Sequence, residues 1–159
     1  MTKRVLSIVV VALMASVSFG EVAVGPASSE ANAVNLIYSP DSGNLTIEAA
    51  SNVTTFELKS AGGNLTGAAG GLGGLFDVNT GVKLFKLDPA GFGSPSHDFG
   101  AALKSGLSFA DLGADLTVDG SLASGGSIVG NIVAPAIPEP SSVVLAALAG
   151  LGLLGFRRK

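Results

Sequence analysis

Between residues 34 and 134 the apolar residues come in short runs, many of them alternating with polar ones, which is the period of a half-buried strand. Leu36-Ile37-Tyr38 and Leu45-Thr46-Ile47-Glu48-Ala49 flank Ser39-Pro40-Asp41-Ser42-Gly43-Asn44. Pro, Asp, Ser, Gly and Asn all favour turns, so this arrangement predicts a hairpin. Val53-Thr54-Thr55-Phe56-Glu57-Leu58-Lys59 alternates and opens with β-branched residues, as strands prefer. Val82-Lys83-Leu84-Phe85-Lys86-Leu87 predicts a further strand, ended by Asp88-Pro89-Ala90-Gly91. Strands over 116–122 and 127–133 close the series, and a single helical turn is expected near Ser108 to Leu112. The fold class expected is mainly β: a small sandwich-like body.

The glycines are concentrated. Ala61 to Phe76 carries Gly at 62, 63, 67, 70, 71, 73 and 74, a composition expected of a mobile loop between strands. It is not a phosphate loop. No Gly-Lys-Ser/Thr follows it, and Gly71-Leu72-Gly73 lacks the third spaced glycine.

The two ends break the β pattern. Lys3 and Arg4 precede the uncharged, mostly apolar run Val5 to Ala15, the layout of a secretory signal: a cationic start held in the cytoplasm, then an apolar stretch for the translocon. Ser18-Phe19-Gly20 places small residues where a signal peptidase reads them, so cleavage is expected before Glu21. Ala31-Asn32-Ala33 also fits small-x-small, but lies far from the apolar run. At the other end Val143 to Phe156 contains no charge. As a helix at ~1.5 Å per residue it would be about 21 Å long, short of a hydrocarbon core of roughly 30 Å. Arg157, Arg158 and Lys159 follow and would stay on the cytoplasmic side. The organisation expected is a signal peptide at 1–20, a flexible linker at 21–33, a β-rich body at 34–134, and a tail at 135–159. The tail comprises a stiff Pro-rich spacer (135–140), an apolar helix (143–156) and a basic end. The body is thus flanked by an N-terminal signal helix and a C-terminal hydrophobic helix.

Charge narrows the choice of partners. Of nine basic residues, five lie at the extreme ends; residues 21–140 hold four basic against twelve acidic residues, a net of −8. An acidic body argues against nucleic acid, which demands a cationic face, and against adsorption to anionic lipid. The chain has no cysteine, so disulfides and thiolate metal sites are excluded.

The order Pro138-Glu139-Pro140, short apolar helix, terminal basic cluster resembles the PEP-CTERM sorting signal of Gram-negative bacteria. The resemblance covers residues 138–159 and leaves the body unassigned. It implies that exosortase, a multi-pass membrane cysteine protease, removes the tail and passes the protein outward. Pro138, Glu139 and Pro140 are then recognition residues, and Arg157, Arg158 and Lys159 the stop signal. Besides exosortase, the implied partners are the translocon, the signal peptidase and, through the apolar helix, the inner membrane. The destination is the cell surface or the medium.

Other candidate chemistry is thin. Ser96, His97 and Asp98 contain the residue types of a serine hydrolase, but neighbours in a strand or turn point apart, and no Gly-x-Ser-x-Gly elbow is present. A lone His without Cys does not make a zinc site; His97 is expected in a polar surface loop. Asp41-Ser42-Gly43-Asn44 and Asp77-Val78-Asn79-Thr80-Gly81 bring oxygen ligands into turns, as calcium prefers, yet neither matches the twelve-residue loop, and turn chemistry alone accounts for them. No metal or cofactor is expected. Asn44-Leu45-Thr46, Asn52-Val53-Thr54 and Asn64-Leu65-Thr66 are sequons. The expectation is a structural, non-enzymatic protein of the surface or extracellular matrix. The alternative is a module binding exopolysaccharide, although Trp is absent and Tyr38 is the only tyrosine.

Overall fold

The computed structural model describes Gly20 and residues 22–134. The signal helix and the C-terminal helix expected at the two ends lie outside these residues.

Among the described residues, nine strands form two facing sheets, and there is one helix. In chain order they are β1 (Ala23–Gly25), β2 (Ala33–Tyr38), β3 (Leu45–Ala49), β4 (Val53–Ser60), β5 (Phe76–Asn79), β6 (Lys83–Phe92), β7 (Ser96–Asp98), α1 (Phe109–Asp115), β8 (Leu116–Leu122) and β9 (Val129–Val133). One sheet runs β1-β9-β2-β3-β7, the other β5-β6-β4-β8. β2 and β3 pair antiparallel, Val34 opposite Ala49 through Tyr38 opposite Leu45, so the expected hairpin is present. β9 returns from the far end of the sequence to lie between β1 and β2, parallel to both. The mainly β, sandwich-like architecture agrees with the sequence reading.

Alternation fills the space between the sheets. Leu45, Ile47 and Ala49 of β3 face Phe56 and Leu58 of β4, all buried. The rings of Phe56 and Phe99 stack with centroids 5.5 Å apart, and Phe92 meets Phe99 edge-on at 6.5 Å. Each such side chain, fully buried, contributes about 1.5–3 kcal/mol, and these rings substitute for the missing tryptophans. Leu112 of α1 and Leu103 of the preceding loop complete the core.

Four expectations need correction. First, the stretch 21–33, expected as a flexible linker, contains β1 and the start of β2, and Val22 is 3% exposed. Its pairing partner lies more than a hundred residues along the chain, so no local pattern announces it. Second, β6 does not end at Asp88-Pro89-Ala90-Gly91 but continues to Phe92, opposite Val53. A register shift between Val53 and Thr55 absorbs this irregular stretch, as a bulge does. Third, the glycine-rich segment 61–76 is an irregular strap fastened along its length. Leu65 bridges Leu103, Gly70 N–H donates to Phe99 O at 2.7 Å, and Leu75 N–H donates to Leu87 O at 2.7 Å. It closes the open side of the sandwich between β7 and β6. Glycine is required for that approach: Gly71 has φ +64°, and a Cβ there would collide with the Asp98 carbonyl. Fourth, His97 sits in β7, not in a loop. The helical turn expected near 108–112 is α1, which runs three residues further, to Asp115. Ser108 caps it by accepting from Asp111 N–H, while its own hydroxyl donates to the Asp111 carboxylate.

One acidic residue ties three elements together. The Asp115 carboxylate, at the C-terminal end of α1, accepts from Ser60 Oγ, from Gly62 N–H and from Asn64 Nδ2, the last at 3.0 Å. Ser60 is buried, and its Oγ in turn accepts from Asn64 N–H at 2.7 Å. Burial alone would raise the Asp115 carboxyl, but these hydrogen bonds and the charge of Lys104 hold it below its ordinary range. A carboxylate lowered on folding contributes stability that is present above its unfolded pKa and lost as pH falls through the folded one. The body is therefore expected to lose thermal stability below about pH 4. Asp115→Asn should flatten that loss and cost about 1–3 kcal/mol at neutral pH through the broken network. Thermal unfolding at pH 7 and pH 3 measures both. Glu57, lowered by its bonds to Lys59 and Lys83, accounts for part of the residual slope.

Candidate functional site

The residues expected to carry the sorting function, Pro138, Glu139 and Pro140 with Arg157, Arg158 and Lys159, lie outside the described residues, as do Lys3 and Arg4. The structure does locate the point from which the tail departs. β9 ends at Val133, and Ala134 N–H donates to Gly25 O at 3.1 Å. The last strand is an interior strand, held by β1 on one side and β2 on the other. A pull on the tail is therefore borne by two parallel ladders rather than by a loose end. From Ala134 to the first residue of the apolar stretch is nine residues, a reach of up to about 32 Å when extended.

Within the body the other candidates do not converge. His97 Nε2 lies 2.8 Å from Gly71 O, and its ring packs edge-on against Phe99 at 4.7 Å and Phe92 at 5.1 Å. Asp98 Oδ1 accepts from Gly100 N–H at 2.8 Å, and Ser96 is exposed. His97 is thus engaged with the strap and the aromatic cluster, and its two neighbours sit on the other side of β7. The turn at Asp41 is closed by its own bonds: Gly43 N–H donates to the backbone Ser39 O, and Asn44 N–H to the Ser42 side-chain Oγ. Asp77 Oδ2 accepts from Gly73 and Gly74 N–H groups, while its Oδ1 is buried without a partner among the described residues. Lys86, cross-strand from Asp77 and 4% exposed, holds its ammonium 5.2 Å from the Phe92 ring. Among the described residues no three or more His, Cys, Asp or Glu side chains are grouped as metal ligands would be.

Of the sequons, Asn44 and Asn52 are exposed, whereas Asn64 spends its amide on Asp115. Tyr38 is buried, its hydroxyl donating to Lys104 O at 2.8 Å and accepting from Leu107 N–H at 3.1 Å. It serves the fold and is closed to a sugar.

The outer face of the four-stranded sheet holds a feature that sequence reasoning missed. Register places Phe76, Leu87 and Thr55 in one row and Val78, Phe85, Glu57 and Asp119 in the next. Phe76 is 60% exposed and meets Phe85 edge-on at 6.0 Å. Glu57 bridges Lys59 and Lys83, and Lys83 Nζ lies 5.4 Å over the Phe85 ring. The only signal was the alternation Lys83-Leu84-Phe85-Lys86-Leu87, read without knowing which face is covered.

Comparison with known proteins places one region. Residues 136–159 match the PEP-CTERM protein-sorting motif. No curated protein and no solved structure matches the chain. The motif implies an exported chain processed by exosortase, with a cell-surface or extracellular destination.

Proposed function

We propose that this chain is a structural, non-catalytic component of the cell surface or extracellular matrix, delivered through its tail. The observation that carries this reading is the sorting motif at the C-terminus. Lys3 and Arg4 hold the start in the cytoplasm while the translocon takes the apolar run, and signal peptidase then frees the N-terminal end. The apolar segment 143–156 keeps the precursor in the inner membrane. Arg157, Arg158 and Lys159 stop it there, each cation costing on the order of 2.5–3.5 kcal/mol at mid-membrane by insertion scales. Exosortase reads Pro138-Glu139-Pro140, which is too polar to enter lipid, and cuts. The body travels as a disulfide-free sandwich. Its acidic surface, and the separate engagements of His97 and Asp98 beside an exposed Ser96, support a role without nucleic acid and without catalysis.

A second reading, a module binding exopolysaccharide, draws on the Phe76–Phe85 pair beside the Glu57, Lys59 and Lys83 charges. A sugar ring stacks on an exposed aromatic face while polar neighbours bond its hydroxyls. Screening the secreted body on a glycan array separates the two. The structural role predicts no specific binding. Binding that Phe76→Ala abolishes, with stability changed by no more than about 0.5 kcal/mol as at other surface sites, would establish the second reading instead.

A further inference from the structure

We propose that the body pairs with a second copy of itself through strand β5, edge to edge and antiparallel, about a two-fold axis at Val78. The inference goes beyond the delivery reading: it concerns the body alone and holds whether or not the tail is removed.

Each sheet has two edges, and three of the four are closed within the chain. β8 is bonded on its outer side: Val118 N–H donates to Gly20 O, Leu122 N–H to Gly126 O, and Gly120 O accepts from Ile128 N–H. β7 is crossed by the strap, with His97 Nε2 at Gly71 O and Gly71 too close to the Asp98 carbonyl for a Cβ. β1 is three residues long and has α1 against it, where a Cβ on Gly113 would press on Val24 Cγ2. β5 is different. Thr80 N–H donates to Lys83 O at 2.9 Å, which fixes the parity of the β5–β6 ladder. Phe76, Val78 and Thr80 turn their main-chain groups toward β6; Asp77 and Asn79 turn theirs away. Among the described residues no other main-chain group meets the N–H or C=O of Asp77 or Asn79. Such a row of free donors and acceptors is a template for another strand.

The surroundings of this edge suit a second copy. Leu75, Phe76 and Val82, 75%, 60% and 56% exposed, are the three most exposed large apolar side chains among the described residues, and all lie in or just beside β5. Strands β4, β5 and β6 carry Lys59, Lys83 and Lys86 against Glu57, Asp77 and Asp88, a balance of zero. The whole net charge of −8 on residues 21–140 therefore lies elsewhere. Two copies of so acidic a body repel over most of their surface, and this neutral, apolar edge is where they can meet.

The parity also selects the register. Only outward-turned residues exchange bonds across the new edge, so Asp77 pairs with Asn79 of the second copy or with its Asp77. The latter sets two carboxylates opposite each other, which is destabilising. Pairing Asn79 with itself would run Asp77 past the end of the strand. Asp77 opposite Asn79 puts Val78 against Val78 on the axis and gives both outward residues of each copy their missing partners. It sets Phe76 opposite Thr80 of the second copy, one diagonal step from Val82. The edge is thus its own complement, as an isologous contact must be. The two four-stranded sheets become one continuous sheet.

Cysteine cross-linking tests this in the full chain, which has no cysteine of its own. On the axis the two Val78 residues form a pair without mutual main-chain bonds, whose Cα atoms lie about 4.5 Å apart, within disulfide range. Full-length Val78→Cys, exported and oxidised on whole cells with copper phenanthroline, is expected to run at twice the monomer's mass without reductant and at the monomer's mass with it. Ile37→Cys, exposed on the other sheet, is expected to stay monomeric. Phe76→Cys and Thr80→Cys give a second reading that leaves Val78 intact: cross-linked when co-exported, monomeric when each is exported alone. Precursor and released chain are assayed together, so failure of tail removal changes neither result. If neither cross-link forms, or if Ile37→Cys dimerises as readily, the inference is overturned and the edge is left to another protein's strand or to a sugar.

Discussion

Glu139→Ala is expected to leave membrane insertion intact and to stop removal of the tail. The change touches neither the apolar stretch 143–156 nor Arg157-Arg158-Lys159, so partitioning into the bilayer and the stop at its cytoplasmic side are unaltered. It removes a carboxylate from a motif that a protein reads. The loss of a hydrogen bond to a charged group weakens recognition by about 1.5–3 kcal/mol, or roughly 10- to 100-fold. The precursor should accumulate in the inner membrane with its body facing outward, and release should fall by that factor. Fractionation and immunoblotting against the body, in a host carrying exosortase, measures it. Wild-type release from Glu139→Ala would reduce the tail to a short anchor with a coincidental Pro-Glu-Pro.

Phe56→Ala is the exchange expected to damage the body most. Phe56 is fully buried at the centre of β4, the strand flanked by β6 and β8, and it stacks on Phe99 from the opposite side of the sandwich. Truncation leaves a cavity beside the Phe99 ring in the middle of the buried cluster. The expected loss is about 3–5 kcal/mol, a large part of the roughly 5–15 kcal/mol typical of a domain. At the few degrees per kcal/mol usual for domains near this size, Tm should fall by roughly 10–25 °C. Thermal unfolding followed by circular dichroism of the body beginning at Glu21 checks this. A shift of only a degree or two would mean that the two sheets do not share this core.

How far the sequence reaches into this fold depends on what stabilises each element. β2, β3, β4 and β8 were legible because their own alternation and turn residues specify them. β1, β5 and β7 were not. Ala23-Val24-Gly25 has no pattern of its own and is a strand only because β9 lies beside it. Phe76-Asp77-Val78-Asn79 follows seven glycines and is held by β6. Ser96-His97-Asp98 reads as polar, yet its register against β3 turns the His97 ring onto Phe99. Such long-range pairings leave no local signal. The tail is the opposite case. A protease that reads a short linear segment needs residue order and little else, so Pro138-Glu139-Pro140, the apolar stretch and the basic end can be read directly from the sequence. The Phe76–Phe85 face falls between: alternation marks its strands, but only the assembled sheet shows which side faces solvent.

The central claim is that the tail is a sorting signal removed on the way out. Intact mass of the protein recovered separately from membranes, cell surface and medium of an exosortase-bearing host addresses it most directly. The account predicts that the surface and released species lack everything after about Glu139, with the longer precursor confined to the inner membrane. A dominant surface species still carrying Arg157-Arg158-Lys159 would contradict it.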